Sequence, residues 1–148
     1  SQSFIDFRLS NNSQVGYINT NGSSTSYNTS SDYRLKENVD YTWDATTRLK
    51  QLKPARFNFI ADDTNTLVDG FIAHEAATVV PEAVTGVKDA MEAAVLYKEG
   101  DDIPEDKSVG DVRLAEQIDA QAIDQSKLVP LLVKTIQELE ARITALEA

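Results

Sequence analysis

In the stretch S-S-D-Y-R-L-K-E-N-V, Ser30 to Val39, a serine stands five residues before a lysine. A serine hydroxyl is a poor nucleophile until a base takes its proton. A lysine serves as that base when burial or nearby positive charge keeps its amine neutral. Ser31 and Lys36 are such a pair, and Arg34 lies close enough in sequence to supply the charge. The chain has one histidine and no cysteine, so a cysteine nucleophile, a thiolate metal site and a disulfide framework are excluded. The spacing alone is common, and the same residues also read as a solvated turn. In that reading Ser30 or Ser31 caps the turn, while Asp32 and Glu37 neutralise Arg34 and Lys36.

The elements that must position this pair follow from the rest of the chain. Its 148 residues, 41% apolar and 26% charged, are enough for one sizeable core. Fourteen basic against 24 acidic residues give a formal charge of −10, which repels nucleic acid and anionic lipid. No apolar run approaches the roughly 20 residues of a membrane span, and the start S-Q-S-F-I-D-F-R lacks the pattern of a signal peptide. The chain opens without methionine, as a fragment of something longer would, or a processed or engineered start.

Before the motif, Phe4–Leu9 and Val15–Ile18 read as short strands. The polar run from Asn19 to Ser31 cannot order itself by burial, so it is either a linker or a segment that folds against other copies or a partner. After the motif, Asp44 caps a helix that carries Leu49 and Leu52 inward and stops before Pro54. A-R-F-N-F-I and L-V-D-G-F-I-A read as a hairpin, and H-E-A-A-T-V-V as a short helix ended by Pro81. A-V-T-G-V-K-D and A-A-V-L-Y-K-E-G are strands or irregular excursions. The acidic stretch Gly100–Asp111 should project from an α+β core. Near the end, Val129, Leu132, Ile136, Leu139, Ile143 and Leu146 are spaced 3, 4, 3, 4 and 3 apart, the seam of a coiled coil, with Pro130 in the tolerant first turn. The pattern suits self-association or an amphipathic helix on a single core. Its branched residues favour dimers in long coiled coils, and two and a half heptads are too few to set the number of chains.

Five blocks, S-D-Y-R-L-K-E-N-V, L-K-P-A-R-F-N-F, G-F-I-A-H-E-A, V-P-E-A-V and S-K-L-V-P-L-L-V-K-T-I-Q-E-L, occur in this order. Together they resemble the C-terminal intramolecular chaperone domain of phage tailspikes and tail fibres, the peptidase S74 family. The resemblance implies a homotrimer that registers three chains of a fibre and then cuts itself free before the serine of the S-D motif. The bond cut would join Ser30 to Ser31. Ser31 would be the nucleophile and Lys36 the base, with Asp32, Arg34, His74 and Glu75 as supporting residues. No metal or other cofactor is implied. The expected partners are two further copies and the upstream fibre segment of the same polypeptide, with no nucleic acid and no membrane. The expected location is the host cytoplasm during virion assembly, the domain leaving the mature fibre after the cut.

The same resemblance divides the chain into a fibre end, residues 1–30, β-structured and dependent on the trimer, and a chaperone and autoprotease domain, residues 31–148. Within the latter, an arm spans about 88–118 and a C-terminal helix about 127–148. The expected fold is a small mixed α+β core with a projecting arm and a C-terminal helix in a trimeric coiled-coil-like bundle, preceded by an intertwined β-rich fibre end. Two other readings stand beside it: a trimerisation domain whose serine–lysine pair is inert, and a receptor-binding tip, for which no exposed binding surface is marked.

Overall fold

Three antiparallel strands open the chain: β1 (Gln2–Arg8), β2 (Gln14–Thr20) and β3 (Thr25–Thr29), in the order β1-β2-β3. The computed structural model describes residues 2–148, and Ser1, the first residue of the expected fibre end, lies outside them. Register follows the pairs Ile5↔Ile18 and Phe7↔Gly16 on one side of β2 and Ile18↔Tyr27 and Gly16↔Thr29 on the other. The first two strands match the apolar patches of the sequence. The third falls in the polar run from Asn19 to Ser31. Its order comes from the β2 backbone and from a tight turn in which the Asn21 side chain accepts from the Ser23 and Ser24 N–H groups, while Gly22 takes a φ of 94°. Ile5, Phe7, Val15 and Tyr27 are nevertheless exposed.

The chain divides into two compact units at Trp43 and Asp44. The Ser31–Lys36 motif therefore clusters in space with the sheet. In the second unit, Asp44 caps α1 (Ala45–Leu49) by accepting from the Thr47 N–H at 3.0 Å. The buried side of α1 is Ala45 and Thr46. Leu49 and Leu52, expected inward, are only half-buried, because the helix ends at Leu49 and Leu52 falls in the turn that follows. β4 (Ala55–Phe57) and β5 (Val68–Gly70) form the expected hairpin, clipped by Arg56 and Asp69 at 2.7 Å. α2 (Ala73–Ala77) precedes a single 3-10 turn that begins at Pro81.

The next forty residues form an interrupted ribbon. β6 (Val84–Thr85) pairs with β11 (Ala122–Ile123), β7 (Met91–Glu92) with β10 (Gln117–Ile118), and β8 (Val95–Leu96) with β9 (Val112–Leu114). The acidic stretch lies at its closed end. A 3-10 turn, Gln125–Leu128, then leads into α3 (Val129–Glu147).

The core of this unit is small and built from Ala45, Ala76, Val79, Val80, Ala83, Leu128 and Leu131. α3 enters it through Leu128, Leu131 and Thr135, not through its 3-4 seam. Leu131 is 2% exposed, whereas Ile136 is 65% exposed and the other seam residues are also open. One turn further along the buried stripe, Glu138 accepts from the N–H groups of Ala45 and Thr46 at 3.0 and 2.8 Å and from the Thr46 hydroxyl at 2.6 Å. Its carboxylate thus serves as a long-range cap for α1. The Thr46 hydroxyl first, and then the two backbone donors, hold Glu138 below the usual glutamate range.

A carboxylate with a depressed folded pKa adds stability above its unfolded pKa, about 4.3, and loses it as pH falls through the folded value. Glu138→Gln should therefore lower the melting midpoint near neutral pH by on the order of 5 °C, and the gap to wild type should close below about pH 4. Thermal melts across this range check it, and a pH-independent gap would show that the charge is not what caps α1.

Candidate active site

Ser31 lies two residues beyond the end of β3. The Ser30 N–H donates to the Val15 carbonyl at 3.0 Å, which extends the β2–β3 ladder to the residue before it. Asp32 then starts a one-turn 3-10 helix, Tyr33–Leu35, its side chain accepting from the Arg34 N–H at 2.9 Å. The Arg34 guanidinium folds back onto the same carboxylate at 3.0 and 2.7 Å. This pairing holds Asp32 below the usual aspartate range and raises Arg34. The turn closes with the N–H groups of Leu35 and Lys36 donating to the carbonyls of Asp32 and Tyr33, and Lys36 resumes an extended backbone.

Reversing the chain over one turn brings the lysine side chain back to its start. Lys36 Nζ donates to Ser31 Oγ at 2.7 Å. A one-turn helix between the two residues is the physical reason for the five-residue spacing. Asp32 and Arg34, expected as supporting residues, are parts of that turn, so their charges act by fixing the backbone between the pair.

Ser31 and Lys36 are exposed, and so are Tyr33, Leu35, Val39 and Tyr41 around them. Tyr33 is 81% exposed. A cleft of about 260 Å³, lined by residues 14–17 and 28–32, opens on the strand side of the pair. Most of its lining is strand backbone and short polar side chains, and no sequence motif announces it. It is wide enough for water to reach the Ser30–Ser31 bond.

His74 and Glu75 lie in the second unit, on α2. His74 is exposed, and the Glu75 carboxylate stands 3.4 Å from Lys53 Nζ. Among the described residues, no three His, Cys, Asp or Glu side chains are grouped to hold a metal ion.

Residues 31–85 match the family described as chaperone of endosialidase, Peptidase_S74. Over this segment the chain is similar to the peptidase S74 family. The S74 segment begins at Ser31 itself and contains Asp32, Arg34, Lys36, His74 and Glu75, together with α1, the β4–β5 hairpin and α2. Most of the ribbon and all of α3 lie downstream of the S74 match. No curated protein matches the chain.

Proposed function

We propose that this chain is an intramolecular chaperone that joins three copies of a phage fibre in the host cytoplasm and then cuts itself away between Ser30 and Ser31. The observation that carries the proposal is the 2.7 Å contact between Lys36 Nζ and Ser31 Oγ at the first residue of the family match.

With Lys36 neutral, its amine accepts the Ser31 hydroxyl proton while Oγ attacks the Ser30 carbonyl carbon. The attack closes a five-membered ring of Oγ, Cβ, Cα and N of Ser31 and the carbonyl carbon. The proton passes to the Ser31 nitrogen as the C–N bond breaks, leaving an ester between Ser30 and Ser31 Oγ. Water from the cleft then adds to the ester carbonyl, the C–O bond breaks, and the products are a Ser30 carboxylate and a Ser31 with free amine and hydroxyl. The lysine donates in the single chain, so the direction of its hydrogen bond must reverse. Removal from water favours the neutral amine. Neighbouring chains seated on Tyr33, Leu35, Val39 and Tyr41 would bring that about.

Assembly rests on the exposed seam of α3 and on the exposed apolar residues of the ribbon, among them Met91, Val112 and Ile118, which the arm would lay against the other copies. Three chains joined at one end register at an effective concentration in the millimolar range, which offsets loop-closure entropy. Cutting the link leaves the fibre kinetically trapped.

A non-cleaving trimerisation domain is the second reading, favoured by the exposure of the pair. Intact-mass measurement on the purified chain separates them. Cleavage yields one fragment ending at Ser30 and one beginning at Ser31, whereas the inert scaffold gives the full mass alone.

A further inference from the structure

We infer that strand β2 is a positioning element for the cut, through the Val15 carbonyl and through Gly16, which has no room for a side chain. The inference rests on the self-cleavage proposed above. The carbonyl to be attacked belongs to Ser30. On one side the Ser30 N–H is bonded to Val15, and on the other the capped turn from Asp32 presents Ser31 Oγ. The scissile bond is thus held between a rung of the sheet and a helical turn. Gly16 pairs with Thr29, the residue before Ser30, and is buried between its two neighbouring strands. A Cβ placed there would meet the Asn28 backbone oxygen at 2.8 Å. Alanine at this position must push β3 off β2 just where the rung to Ser30 is made.

The rung is made within one chain, so completion of each chain's own terminal sheet is what aligns its bond. A displacement near 1 Å lowers the rate of an oriented reaction by about 100-fold. Gly16→Ala should slow cleavage by about that factor in a trimer of normal mass, with loss of hydrogen-exchange protection at the Ser30 amide. The pH profile of the residual cleavage should keep its wild-type shape, because Ser31, Lys36 and their turn are untouched; a profile that shifts places the effect on the dyad and overturns the inference. Ser26→Ala, an exposed change on the neighbouring strand β3, should cut normally. If Gly16→Ala fails to assemble, an ester in place of the Thr29–Ser30 amide removes the donor and adds nothing to the interior. Wild-type rates in Gly16→Ala, or in the ester, overturn the inference while leaving the dyad intact. A wild-type chain that never cuts overturns the dyad itself.

Discussion

Lys36→Arg should stop the proposed self-cleavage while the proposed trimer still assembles. Arginine keeps the positive charge and the hydrogen-bond donor that meet Ser31 Oγ at 2.7 Å, and it cannot take up a proton. If the contact only buttressed the turn, arginine would serve. As the general base it cannot, and the rate should fall by about 10²- to 10⁴-fold, as with Lys36→Ala. Ser31→Ala removes the attacking oxygen and should abolish the cut entirely. Time courses by mass spectrometry decide these points, and cleavage of Lys36→Arg at the wild-type rate would remove the base from the mechanism.

The second large effect lies at the other end of the chain. Ile136→Asp combined with Ile143→Asp should convert the proposed trimer to monomer at micromolar concentration, seen by sedimentation, while each chain keeps its fold. Both side chains are exposed in the single chain, so the substitutions remove nothing from its core. In a three-chain seam each position loses about 1.5 to 3 kcal/mol of burial per chain and brings three carboxylates together. Leu131→Asp provides the contrast: it strikes the buried stripe and should unfold the unit. Trimers that persist with both aspartates would place the interface elsewhere.

Much of this arrangement was legible in the sequence where the signal is local. Asp44 before a run of helix formers, Pro81 after a short helix, and the two runs around A-D-D-T-N-T each announce their element within a few residues. The serine–lysine pair was picked out by the family pattern, and its two side chains do meet, at 2.7 Å. Features held by distant partners were not. Thr25–Thr29 is too polar to read as a strand, because its order comes from hydrogen bonds to β2 and not from burial. Apolar residues occupy every position but one from Leu128 to Val133, so the packed face of α3 has no unique signature there. The burial of Leu131 and Thr135, together with the cap from Glu138 to Ala45 and Thr46 more than ninety residues away in sequence, shows which side faces the core. The ribbon's two-residue ladders are too short to establish a period.

The spatial division between Trp43 and Asp44 lies thirteen residues beyond the bond between Ser30 and Ser31. The hydrolysis proposed above would therefore sever the chain inside the first compact unit. The new N-terminal stretch, Ser31 to Trp43, would belong covalently to the departing domain and spatially to the unit left behind. Departure would then be a peeling event with its own rate, separate from bond scission. A nicked assembly that migrates as one species until residues 31–43 detach would be its intermediate, and its lifetime, not the chemistry, would time the exposure of the finished fibre tip.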